Sequence, residues 1–152
     1  MEIADFFISE EEKIKNVLHR MNAVGHGILL VGKENRLKAV ITDGDIRRAM
    51  LRGYDENSRS GDIANYTPFF LNLHEANNQK IKDAFKKKRI KAIPIIGNDG
   101  MVQRIEFDNG KVIYKKACND IKVIIMAGGK GTRLLPLTDV LPKPLIPVGD
   151  ET

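Results

Sequence analysis

Two stretches of this sequence combine residue types and spacings that can do chemistry on phosphates. The first is Gly128-Gly129-Lys130-Gly131-Thr132-Arg133-Leu134, entered directly from the apolar run Ile121-Lys122-Val123-Ile124-Ile125-Met126-Ala127. A strand feeding a glycine-rich loop lets backbone N–H groups wrap phosphate oxygens, because glycine permits the close approach and the unusual φ values. Two common patterns do not fit. Lys130 is followed by Gly131 rather than Ser or Thr, and Leu134 stands where a dinucleotide fingerprint needs Gly or Ala. The second stretch is Thr42-Asp43-Gly44-Asp45, where a strand hands over to a helix. A hydroxyl and free N–H groups at a helix start can receive a phosphate, and a carboxylate three residues on can accept from sugar hydroxyls. Thr and Asp are equally ordinary helix caps that bind nothing. His19, His26 and His74 lie scattered without metal-ligand spacing and take no role.

The elements that must position these residues belong to a chain of 152 residues, 42% apolar and 30% charged, with net charge +5. That composition excludes a disordered or low-complexity chain. No apolar run approaches the ~18 residues of a membrane span, and the acidic start Met1-Glu2-Ile3-Ala4-Asp5 is not a signal peptide. The single cysteine, Cys118, can form no internal disulfide, which suits a reducing cytoplasm. The length allows one domain, or a small domain plus a fragment. Residues 1–118 hold 21 Lys and Arg against 16 Asp and Glu, whereas residues 119–152 hold 4 of each. The excess comes largely from Lys86-Lys87-Lys88-Arg89 and Lys91. This run follows a helical apolar pattern and has no interleaved aromatics, so it reads as a solvated face complementing a helix C-terminus. Neither a nucleic acid nor a membrane is expected as a partner.

Ser9-Glu10-Glu11-Glu12 reads as a capping box with Ser9 as N-cap. Ile14, Val17, Leu18 and Met21 then share one helical face, which Gly25 and Gly27 end. Ile28–Val31 is a strand, Lys33-Glu34-Asn35 a turn, and Leu37–Ile41 a second strand. Ile46, Ala49 and Met50 mark a short helix ended by Gly53, and Tyr54–Gly61 is a polar loop. The order then returns. Phe69-Phe70-Leu71 is extended, Ile81, Ala84 and Phe85 are helical, Ala92–Ile96 is a strand, Gly97–Gly100 a turn and Met101–Phe107 a strand. Pro94 argues for an edge or a bulge. Aligning Leu37–Ile41 with Met101–Ile105 gives a repeat offset of about 64 residues. Two units too small to bury a core singly can do so together.

Two tandem units of this size, the first ending Ala39-Val40-Ile41-Thr42-Asp43-Gly44-Asp45-Ile46, resemble a pair of cystathionine-β-synthase (CBS) domains over about residues 1–115. The resemblance implies a compact disc with two clefts, often occupied by adenine nucleotides, that regulates an attached enzyme or transporter. It gives Thr42 the phosphate and Asp45 the ribose of a nucleotide. Under the 64-residue alignment the matching positions are Glu106 and Asn109, which implies an empty, degenerate or altered second cleft. The resemblance also implies side-by-side association, so a homodimer is expected.

Beyond Cys118, Ala127-Gly128-Gly129-x-Gly131-Thr132-Arg133-Leu134-x-Pro136-Leu137-Thr138 followed by Pro142-Lys143-Pro144-Leu145 resembles the opening signature of sugar-1-phosphate nucleotidyltransferases. In that family a sugar phosphate oxygen attacks the α-phosphorus of a nucleoside triphosphate and pyrophosphate leaves, so catalysis is mostly positioning and electrostatics. The resemblance assigns Gly128, Gly129, Gly131 and Thr132 to the triphosphate, and Arg133 and Lys143 to catalysis. It implies Mg²⁺, whose aspartate ligands lie beyond Thr152. The expected architecture is therefore α+β: two pseudo-symmetric helix-strand-strand-helix repeats, residues 1–57 and 58–117, then the incomplete α/β start of a nucleotidyltransferase, residues 118–152. The tail is expected to be disordered, or to add to a sheet edge through Val123–Met126. On this reading the fragment is a non-catalytic, nucleotide-sensing module of an enzyme that makes NDP-sugars from NTP and sugar 1-phosphate, with a mannose-1-phosphate guanylyltransferase as the type. The alternative is a structural dimerisation module that binds no ligand.

Overall fold

The computed structural model describes residues 1–116. A 3₁₀ turn, Ile3–Phe6, leads into β1 (Phe7–Ile8), α1 (Ile14–Val24), β2 (Ile28–Lys33), β3 (Arg36–Thr42) and α2 (Asp43–Leu51). A short helix, α3 (Ser60–Ile63), leads to β4 (Leu71–Asn72), α4 (Asn78–Lys88), β5 (Ala92–Ile96), β6 (Val102–Phe107) and β7 (Val112–Tyr114). The strands form two sheets, ordered β1-β2-β3 and β4-β5-β6-β7. In each, the first pair is parallel and spans a helical crossover, and the second pair is an antiparallel hairpin.

The α+β repeat read from the periodicity is therefore present, but its second copy closes differently. In the first copy β3 passes into α2. In the second, Asp108-Asn109-Gly110 turns the chain, with Gly110 at φ 84°, and β7 pairs back onto β6. The helix of the helix-strand-strand-helix scheme is replaced there by a strand.

The start of α1 also departs from expectation. Residues 9–12 form a turn rather than a helical first turn, and Lys13 is the N-cap. The helix start is satisfied from across the chain. Ile14 N–H donates to the Ser58 carbonyl and Lys15 N–H to that of Glu56, each at 3.0 Å. The fully buried Ser60 hydroxyl donates to the Ser9 carbonyl at 2.7 Å. Tertiary acceptors thus outcompete the local box. Ser60 and Gly61, read as loop, are the first residues of α3.

Most of the apolar interior is one cluster. It runs from Ile14, Val17 and Met21 of α1 through Leu30 and Ile41 to Val102, Ile105 and Phe107 of the second sheet. A smaller cluster, Ile81, Ala84, Ile93 and Ile95, lies under α4. The alternation of β5 and β6 sorts them: Ile93 and Ile95 face α4, and Ala92, Ile105 and Phe107 join the shared core. Pro94 sits in an interior strand, yet β4 reaches only Ile95 and Ile96, so beside Pro94 that flank is free. The bulge lies between Ile95 and Ile96.

Strand register corrects the repeat alignment. Leu29 pairs with Ile41 and Ile93 with Glu106, while Val31 pairs with Ala39 and Ile95 with Arg104. The first strands of the two hairpins are offset by 64 residues and the second strands by 65, because the second turn is one residue longer. The structural counterpart of Thr42 is thus Phe107, not Glu106, and that of Asp45 is Gly110, not Asn109. A slip of one residue reverses which face a side chain occupies.

Candidate functional site

Helix α2 begins with a capping box. The Thr42 hydroxyl accepts from Asp45 N–H at 3.3 Å and donates to Asp45 Oδ2 at 2.6 Å, and Oδ2 also accepts from Thr42 N–H at 2.9 Å. The second carboxylate oxygen, Oδ1, accepts from Arg48 at 2.6 Å, one helical turn on. Asp45 is thereby oriented at the mouth of a cleft of about 350 Å³, a volume within the range of small-molecule sites.

Thr42, Asp45 and Arg48 line the first-repeat wall of this cleft, and Phe69, Arg89 and Lys91 line the facing wall. Gly27 completes the floor. It adopts φ +63°, a conformation that favours glycine, and a Cβ there would come within 2.5 Å of Asp43 Oδ2 and displace that carboxylate. The structure thus brings Thr42 and Asp45 together at one cavity that cations of the second unit also line. The cations were the part that sequence reading missed. Lys86, Lys87 and Lys88 do end α4 and are exposed, in keeping with a solvated face at a helix C-terminus, but the Lys88 ammonium lies 4.5 Å from the ring of the cleft-lining Phe69. Arg89 and Lys91, exposed as well, are among the residues that line the cleft. The clue was the repeat itself, since pseudo-symmetry sets the helix-to-strand junction of one unit beside the strand-to-helix junction of the other.

The counterpart site in the second unit is closed. Phe6, His26 and Phe107 hold there the places that Phe69, Ile90 and Thr42 hold at the open cleft. The His26 and Phe107 rings lie 4.4 Å apart, and Phe6 is 6.0 Å from each. Burial between the rings, aided by the Lys111 ammonium 2.9 Å from Nε2, pushes the His26 pKa below its ordinary value. Glu106 lies away from this stack, its Oε1 2.7 Å from Arg104 Nε. Asn109 closes the β6–β7 turn, accepting from Lys111 N–H at 3.0 Å.

A family model for the CBS domain matches residues 3–52. A crystal structure of a CBS domain superposes with TM-score 0.59 at 21% identity, covering 67% of this chain and 80% of that one. The N-terminal region has the fold of CBS domain proteins. A CBS domain protein from Pyrobaculum aerophilum, solved in complex with AMP, has TM-score 0.57 and 18% identity, covering 68% of this chain and 79% of that one. The two-sheet arrangement and the open cleft are thus set in a CBS fold.

A nucleotidyl transferase family model matches residues 122–152. The Bifunctional protein GlmU of Methanococcus aeolicus is 62% identical over 26 residues, which is 17% of this chain and 6% of that protein. The chain therefore matches only a small part of the length of this curated relative. Gly128, Gly129, Gly131, Thr132, Arg133 and Lys143 fall within the matched segment and lie outside the described residues. So does the strand expected at Val123–Met126. Among the described residues there is no cluster of three or more His, Cys, Asp or Glu side chains able to hold a metal, and no helix long and apolar enough to cross a membrane.

Proposed function

We propose that the CBS module senses a nucleotide and regulates a sugar-1-phosphate nucleotidyltransferase whose first strand and phosphate loop are residues 122–152. One observation carries the reading: one cleft is lined both by a hydroxyl and a carboxylate at a helix start and by two cations of the second unit, Arg89 and Lys91. Thr42 and the N–H groups of α2 suit a phosphate and Asp45 suits ribose hydroxyls, with Phe69 offering an apolar surface to a base. The CBS relative solved with AMP supports an adenine nucleotide as occupant. In the proposed whole protein, residues 1–57 and 58–117 form the sensor and residues 118–152 begin the enzyme. Gly128, Gly129, Gly131 and Thr132 cradle the NTP, Arg133 and Lys143 act on its phosphates, and Mg²⁺ is held by residues beyond this sequence. The protein is cytoplasmic and homodimeric on this reading, and its substrates are NTP and a sugar 1-phosphate. Regulation requires that the nucleotide bind two conformations unequally.

The test is thermal unfolding of the 152-residue chain with AMP, ADP, ATP, GTP or S-adenosylmethionine. A ligand at 100 times its Kd contributes about 2.7 kcal/mol, a shift of several degrees. A shift lost in Asp45→Ala establishes the sensor. The competing reading, a structural module without ligand, draws on the closed Thr42–Asp45–Arg48 network, in which both Asp45 oxygens already have partners. No shift with any of the five compounds favours it.

A further inference from the structure

Helices α1 and α4 are both 11 residues long and end at equivalent places, Gly25 and Arg89, 64 positions apart. Both C-caps are left-handed, Gly25 at φ 68° and Arg89 at φ 51°. Both close the helix through the same bond, Gly25 N–H to the Met21 carbonyl and Arg89 N–H to that of Phe85, each at 3.0 Å. Glycine is the ordinary residue for this cap because a Cβ is strained there. The first unit follows the rule and the second breaks it. It does so at the one of the two junctions that faces the open cleft. The like-charged neighbours Lys86, Lys87, Lys88 and Lys91 repel Arg89 and offset the favourable place of a cation at a helix C-terminus. Among the described residues, no carboxylate lies within ion-pair distance of its guanidinium.

We infer that Arg89 is kept in a strained cap so that its guanidinium meets a ligand phosphate in the cleft, trading helix-cap stability for affinity. The inference rests on the nucleotide reading above and adds to it the group that holds the phosphate. Arg48 is already committed to Asp45. Of the cations that line the cleft, Arg89 and Lys91 are therefore left to face the ligand's charge, while the Lys88 ammonium lies 4.5 Å from the Phe69 ring. The planar fork of Arg89 can bind two phosphate oxygens at once, which the point charge of Lys91 cannot.

The test compares the wild-type chain with Arg89→Gly and Arg89→Lys. Calorimetric titration with AMP and adenosine is paired with thermal unfolding of each unliganded protein. For Arg89→Gly the two readouts are expected to move in opposite directions. The unliganded midpoint rises by about 3 °C as the strain is relieved. AMP affinity falls about tenfold or more, while adenosine affinity is unchanged. Arg89→Lys keeps the wild-type midpoint and shows an intermediate loss for AMP. If wild type binds AMP and Arg89→Gly binds it equally well, or loses AMP and adenosine alike, the assignment is overturned and the nucleotide reading stands. If wild type binds neither compound, both fall together.

Discussion

The two junction clefts of this molecule are built from the same repeat and end in opposite states. At one, Thr42 meets Phe69 and Ile90 around an open cavity; at the other, Phe107 meets Phe6 and His26 ring against ring. The backbone frame is shared: parallel strand, 11-residue helix, left-handed cap, antiparallel hairpin. What differs is what fills it. A helix N-terminus with a hydroxyl leaves room and offers donors, whereas an aromatic side chain on a strand that turns into another strand fills the space and buries apolar area. A duplicated fold can thus keep a site in one copy and convert the other into core, and the conversion needs few residues.

The largest expected effect comes from reversing that conversion. Phe107→Thr puts at the closed junction the residue type found at the open one, and removes a ring that is 4% exposed. It should cost about 3 kcal/mol in urea unfolding. A cost under 1 kcal/mol would mean that the stack is incidental and the two junctions are not truly different. Next is Thr42→Ala. Loss of the cap should cost about 1–2 kcal/mol, and the midpoint shift on adding AMP should shrink with it. A cap loss that leaves the AMP shift intact separates the structural use of Thr42 from the functional one. Smaller still is Gly25→Ala. Nothing lies within 4 Å of the added Cβ, so the about 1 kcal/mol expected is pure backbone strain, the quantity that Arg89 carries in the other unit.

The smallest effect is with pH. The folded-state pKa of His26 is depressed, so the neutral ring is the form that folding favours. Its contribution is whole above the unfolded value of about 6.5 and is lost as pH falls through the lower folded value. The melting midpoint should drop between pH 7.5 and 5.5, and His26→Gln should flatten that fall. The carboxylates with lowered pKa, Glu10, Asp55 and Asp99, act only at more acid pH. An unchanged slope in the glutamine variant would locate the pH response away from the closed junction.

Much of the fold was legible because its signals are local. Gly25 announced a helix end, and Glu34-Asn35, read as a turn, supplied the two positive-φ residues of a tight hairpin. What failed depended on partners distant in the chain. The Ser9 box lost to the Ser58 and Glu56 carbonyls, which accept from Ile14 and Lys15 N–H across the chain. The Glu106 assignment failed on one extra residue in the Gly97–Gly100 turn. That length difference was visible, but only a register shows which strand absorbs it. At the site, Thr42 and Asp45 were readable as a spacing. Arg89 and Lys91 were not, since a basic run shows nothing of which of its residues will border a cleft shared with a neighbouring repeat.

The tie between the start of α1 and residues 56–60 also bears on how the chain is made. While a ribosome extends the polypeptide, the first helix and hairpin emerge before the acceptors that complete them. Ile14 and Lys15 wait for Glu56 and Ser58, and the free edge of β3 waits for Asn65, whose backbone exchanges two hydrogen bonds with Val40. The earlier-synthesised unit is therefore finished by the connector that leads to the later one. Pausing translation before that connector leaves the exit tunnel would hold back a nearly complete half with its helix start and sheet edge still solvated.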